Sequence, residues 1–90
     1  MREDFLIKNF PRSPILEEEF NSQKEKIFDF FKKIRNTEAL HISCHMEKNP
    51  HKEEYFCWIN FYLPRKVLHV KEKGSDALVS LKKAFNKLEI

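Results

Sequence analysis

The last third of this 90-residue chain limits its fold most tightly. From Leu68 to Lys71 the side chains alternate apolar and polar, Leu68 and Val70 facing one way and His69 and Lys71 the other, as a strand with one buried face requires. Gly74, the only glycine in the protein, follows and is expected to supply a permissive backbone position between strand and helix. Ser75 or Asp76 then opens a helix whose apolar stripe is Leu78, Leu81, Phe85 and Leu88. Lys83 and Lys87 stand one turn apart on a flank of that helix, with Lys82 beside them on the exposed side.

The rest of the chain supplies partners for that strand and helix. Phe5 to Phe10 is rich in strand formers and stopped by Pro11, which predicts a first strand. Ser13 and Pro14 mark a helix start: the hydroxyl can accept an orphan amide bond, and proline at the first helical position loses no bond it needed. Glu17, Glu18 and Glu19 suit the positive end of the helix dipole. Leu16, Phe20, Ile27, Phe31 and Ile34 recur at helical spacing and extend the helix to about Arg35, with Phe28 and Phe30 flanking the stripe. Lys24, Lys26, Lys32, Lys33 and Arg35 of its second half read as a solvated face.

Between Ala39 and Met46, Leu40, Ile42, Cys44 and Met46 point one way and His41, Ser43 and His45 the other. Residues 47–54, centred on Asn49-Pro50, form a polar turn. Tyr55 to Leu63 is a strand apolar on both faces. Cys57, Ile59 and Phe61 join the core, leaving Trp58, Asn60 and Tyr62 on the side of the histidines. Pro64-Arg65-Lys66 leads into the fourth strand, Val67 to Glu72. The order β-α-β-β-β-α predicts an α+β fold, a four-stranded sheet with two helices on one face.

This length makes one domain, residues 1–90, with one core. No apolar run reaches the roughly 20 residues a bilayer span needs, and the start lacks a signal-peptide pattern, so a soluble, cytoplasmic protein without membrane contact is expected. Cys44 and Cys57 lie on strand-like runs where buried free thiols are common, and no disulfide is expected. The net charge is +3, but its distribution matters more. Residues 1–22 carry three basic and five acidic groups, residues 63–90 seven basic and three acidic. The positive end suits an anionic partner.

Chemistry is sparse. In a strand His41 and His45 share a face about 13 Å apart, while Cys44 points to the opposite face, so the three do not chelate one ion. No zinc-ligand spacing, glycine-rich phosphate loop or serine elbow is present. A buried Cys57 is a poor nucleophile. Neither an enzyme nor a cofactor is expected. Two surfaces are better candidates for function. Lys26 and Lys33 of the first helix with Lys82, Lys83 and Lys87 of the second can form a basic strip for RNA phosphates. The outer sheet face carries His41, His45, Trp58, Tyr62, His69 and Lys71, an aromatic patch of the kind that more often marks a protein contact or weak self-association than base stacking.

The motifs, taken in order, resemble the ribosome hibernation-promoting factor family, which includes ribosome-associated inhibitor A and the proteins once called sigma-54 modulation proteins. The likeness rests on Leu63-Pro64, Leu68-His69, Gly74-x-Asp76, Ala77 to Leu81 and Asn86-Lys87-Leu88-Glu89. Ser13-Pro14-Ile15-Leu16 and Lys26-Ile27 add a second, shorter match. The resemblance implies a strand-helix-three-strand-helix domain that settles on the small ribosomal subunit and its 16S-type RNA. There it overlaps messenger and transfer RNA and silences translation in starvation, stress or stationary phase. Lys26 and Lys87 match basic positions of the family pattern; Lys33, Lys82 and Lys83 follow from charge and helix face. Glu17 and Gln23 stand where relatives often carry cations, and no basic tail follows the last helix. The strand order also fits a double-stranded-RNA-binding domain, but the loop before the last helix lacks the usual Gly/Lys/His pattern.

Overall fold

The alternation read along the chain becomes a sheet in the computed structural model, which describes residues 2–31 and 40–88. The elements are β1 (Arg2–Lys8), α1 (Pro14–Phe30), β2 (His41–Lys48), β3 (Tyr55–Tyr62), β4 (Val67–Gly74) and α2 (Ala77–Lys87). The sheet order is β1-β2-β3-β4. β1 and β2 run parallel, which requires a long crossover, and α1 lies within it. The other pairs are antiparallel, with Cys44 opposite Ile59 and Trp58 opposite Lys71. Both helices cover the same sheet face, as the element order predicted.

Register decides the core. Ile42, Cys44 and Met46 of β2 and Cys57, Ile59 and Phe61 of β3 all point to the helices and are fully buried, together with Leu40, Leu81 and Ala84. Each large apolar side chain so enclosed contributes about 1.5–3 kcal/mol. The phenylalanines tie the layers together. Phe5 of β1 stacks on Phe20 of α1 at 4.5 Å, Phe20 tilts against Phe85 of α2 at 6.1 Å, and Phe31 meets Phe61 edge-on at 5.4 Å. The predicted α1 stripe of Leu16, Phe20, Ile27 and Phe31 is buried. Phe28 is half-buried and Phe30 exposed. Ile34 and the expected helix end at Arg35 lie outside the described residues.

The helix starts are built as expected. Ser13 Oγ accepts a hydrogen bond from the Leu16 amide at 3.3 Å, with Pro14 at the first helical position. Arg12 fastens this start to the sheet by donating to the Phe5 carbonyl and to Glu17 while its guanidinium lies over the Phe5 ring. At α2, Asp76 is the cap, its Oδ1 accepting from Leu78 N at 2.7 Å and Val79 N at 3.4 Å.

Three local expectations are corrected. β1 runs Arg2–Lys8 rather than Phe5 to Phe10, because Asn9 takes a left-handed backbone (φ 70°) that asparagine tolerates and a strand does not. Phe10 thereby leaves the sheet and packs edge-on against Tyr55 at 5.1 Å. Gly74 has no left-handed backbone. Glycine suits the site by proximity instead, since a Cβ there would sit 3.2 Å from Ser80 N and 3.3 Å from Val79 Cγ1, a tight fit that the start of α2 would have to yield to. Lys24, expected on a solvated face, is buried over β1, where its Nζ pairs with Glu3 at 2.5 Å and bonds Asn21 Oδ1 at 3.3 Å.

The α2 cap offers a direct check on this architecture. Asp76→Ala is expected to destabilise the domain by about 1 kcal/mol, lowering the circular-dichroism melting midpoint by about 4–8 °C. Asp76→Ser, which keeps an acceptor, should recover most of the loss.

Candidate nucleic-acid interface

The lysines of the two helices do not all share one surface. Leu81, Ala84, Phe85 and Leu88 hold α2 against the sheet and α1, which leaves Lys82 on one flank and Lys83 and Lys87 on the other. Lys82 leans toward α1, its Nζ 4.0 Å from Glu19. Lys26 stands seven residues beyond Glu19, two turns along the same flank of α1. Lys26 and Lys82 therefore border the line where the helices meet. Lys87 turns the other way, to β4, and pairs with Glu72 at 2.5 Å. Lys83 adds its field to the same carboxylate. Lys33 lies outside the described residues.

Pairing changes what these cations offer. The hydrogen bond from Lys87 holds the Glu72 carboxyl below its ordinary value, with the nearby charge of Lys83 acting in the same direction. Lys87 is thus engaged at rest, and an incoming phosphate competes with Glu72 for it. The Lys82–Glu19 contact is long and exposed, and such pairs open readily.

The outer sheet face assembles every residue the alternation assigned to it. His41 and Tyr62 face each other across β2 and β3 with their rings stacked at 5.1 Å and 21°, and His41 also pairs with Asp4 of β1 at 2.8 Å. One row along, the polar pair Asn60 and His69 bond at 2.5 Å. Beyond them His45 packs on Trp58 at 5.2 Å, and Lys71 lies over the Trp58 and Phe56 rings at 5.4 and 5.6 Å. Phe56 is the addition that the sequence reading missed. The signal was present, since Phe56, Trp58, Asn60 and Tyr62 alternate on one side of β3. Among the described residues no helix covers this face.

The other chemistries find little support in the described residues. Cys44 and Cys57 are free and buried, their sulfurs 3.6 Å apart. The hydrogen bond to Cys57, together with burial, pushes the Cys44 thiol far above its ordinary range, away from a reactive thiolate. Among the described residues no group of three or more His, Cys, Asp or Glu side chains is placed to hold a metal ion, and no helix is long and apolar enough to cross a membrane.

Neither a protein-family model nor a curated protein matches the sequence. Solved structures do. The chain is similar to a ribosomal subunit interface protein from Coxiella burnetii, with a TM-score of 0.75 and 16% identity over 99% of this chain and 90% of that one. It is also similar to the N-terminal domain of Protein Y from Thermus thermophilus, with a TM-score of 0.75 and 13% identity over 94% of this chain and 87% of that one. These likenesses agree, at the level of fold, with the resemblance carried by the order of motifs.

Two measurements check the site description. In Lys87→Gln the Glu72 carboxyl should titrate closer to an ordinary glutamate in an NMR pH titration. In the native protein the stability this pair contributes is complete above the ordinary glutamate value and is lost as pH falls through the lowered one, so Lys87→Gln should flatten the acid limb of the pH–stability curve. A disulfide reagent that reports free thiols should leave the folded protein unmodified and label both cysteines once it is denatured.

Proposed function

We propose that this protein is a cytoplasmic, non-catalytic ribosome-binding factor. It docks on the small subunit against 16S-type ribosomal RNA and blocks translation by filling the channel of messenger and transfer RNA. The observation that carries this reading is the fold. Nearly the whole chain superimposes on a ribosomal subunit interface protein, and its two helices carry the exposed lysines Lys26, Lys82, Lys83 and Lys87, the last of them turned toward the β4 edge.

Inhibition by occupancy needs no catalytic group. It needs shape and phosphate contacts, and the latter come from these four lysines with Lys33 as a fifth expected from the sequence. Each lysine that neutralises a phosphate releases counterions, so the logarithm of the binding constant falls linearly with the logarithm of salt, with a slope set by the number of contacts. Glu19 and Glu72 are built-in competitors for Lys82 and Lys87. They weaken binding and favour release, as suits a reversible block. A hibernation role in starvation or stationary phase is what the family resemblance implies, and it is part of the same proposal.

Co-sedimentation with small ribosomal subunits tests it. The protein should pellet with the subunit at low salt and dissociate as salt rises. Replacing Lys82, Lys83 and Lys87 together by Gln should weaken binding and lower the salt slope by about one unit per phosphate contact removed. Failure to co-sediment even at low salt would sink the proposal.

A further inference from the structure

We infer that the open face of the sheet is a second RNA surface, which receives a single-stranded segment by stacking its bases on Tyr62 and Trp58 while Lys71 and Lys73 meet its phosphates. The inference takes its partner class from the ribosome-binding reading above, but concerns a different face of the molecule.

Three observations select this occupant. The first is ring geometry. Tyr62, 38% exposed, is held flat against His41, and Trp58 against Phe56 at 5.7 Å and 29°. The two aromatic positions lie four residues apart on β3, about 13 Å along the strand, with Asn60 and His69 between them as a polar floor for base edges. Stacking on sheet-borne aromatics is how single-stranded RNA is commonly read, and a duplex, whose bases are already stacked inside, cannot use it. The rings are already paired with neighbours on the sheet, so little side-chain freedom is left to lose on binding.

The second observation is charge. By register the outer face carries Arg2, Lys8, Lys71 and Lys73 against Asp4 and Glu47. Its net positive sign attracts a polyanion and repels a second copy of the same face. The third is continuity. Lys71 and Lys73 project from β4 on the outer side while Lys87 of α2 reaches the same edge from the inner side. Phe56, Lys71, Glu72, Lys73 and Lys87 line one open depression of about 350 Å³ at that edge. A phosphate backbone lying along β4 therefore passes from the helical surface to the aromatic one, displacing Glu72 from Lys87 and the long contact of Glu54 with Lys73, 4.0 Å, on the way.

Trp58 is the only tryptophan, so its fluorescence reports directly on this face. Titration with a short single-stranded oligouridylate at low salt should quench it saturably, whereas an RNA duplex at the same phosphate concentration should leave it nearly unchanged. Tyr62→Ala, read through the Trp58 signal, should raise Kd about 5- to 150-fold, the loss of one base–aromatic stack, and Lys71→Gln should weaken binding and reduce its salt dependence. His41→Ala serves as the second variant where Tyr62→Ala loses its cooperative melt. Absence of quenching, equal quenching by the duplex, or an unchanged Kd in a folded Tyr62 or His41 variant would overturn the assignment. So would a dimer, seen by light scattering, that Tyr62→Ala dissolves, since the face would then serve self-association. Oligonucleotide binding without ribosome co-sedimentation would leave this assignment standing and remove the ribosome-binding proposal; the reverse result would remove this assignment alone.

Discussion

The register of β2 on β3 is the constraint from which the remaining structure follows. With Cys44 opposite Ile59 and Met46 opposite Cys57, every large apolar side chain of β2 and the inner half of β3 is taken out of water. A slip of β3 by one residue would carry Phe56 and Trp58 inward and expose Ile59 and Phe61, and a slip of β2 would do the same with its histidines and Ile42. The penalty is lopsided because the histidines and Asn60 have no partners among the helix side chains. The same register lines up His41 with Tyr62 and His45 with Trp58 on the far side, so the core and the outer aromatic face are two consequences of one alignment.

Around that sheet, charged side chains serve as fasteners at the places where helix meets strand. Lys24 spans from α1 to Glu3 of β1, Arg12 from the start of α1 to the Phe5 carbonyl and Lys87 from α2 to Glu72 of β4. Among these, the contacts that reach solvent through Arg12 and Lys87 add little stability, whereas Lys24 is itself buried. Their effect on binding is larger, because a lysine already held by a carboxylate yields less to a phosphate than one standing free. Formal charge therefore overstates how basic the helical surface is, and the arrangement of Glu19 and Glu72 tempers any RNA affinity.

Much of this was legible in the chain. The four strands, the serine and aspartate caps, and the apolar stripes of the helices follow from local sequence, and the structure keeps them among the described residues, with β1 shifted to Arg2–Lys8. The outer-face residues were assigned for the same reason, a period of two that needs no knowledge of neighbours. Legibility ended where a residue's role depends on something distant in sequence. Lys24 falls one turn after Phe20, at a position the stripe would reserve for an apolar side chain, and only Glu3 of β1 makes its burial tolerable. Gly74 reads as a flexible joint, yet what sets it apart is that Ser80 and Val79 of the following helix leave only a tight space for a Cβ there. Asn9 ends β1 through a single left-handed residue that composition does not announce.

The sequence by itself determined the kinds of elements, their order, which side of each strand turns inward and the excess of positive charge toward the C-terminal end. Those properties are set by nearest neighbours along the chain, through side-chain alternation, capping and helical repeat. Tertiary structure alone decided how the lysines are shared out, Lys82 toward α1 and Lys83 with Lys87 toward β4, because the flank a side chain occupies has meaning only once α2 is seated between two neighbours. It also decided that Lys71 closes over Trp58 and Phe56, joining the basic edge to the aromatic face. Strand pairing creates such contacts between residues more than a dozen positions apart, and no local pattern encodes them.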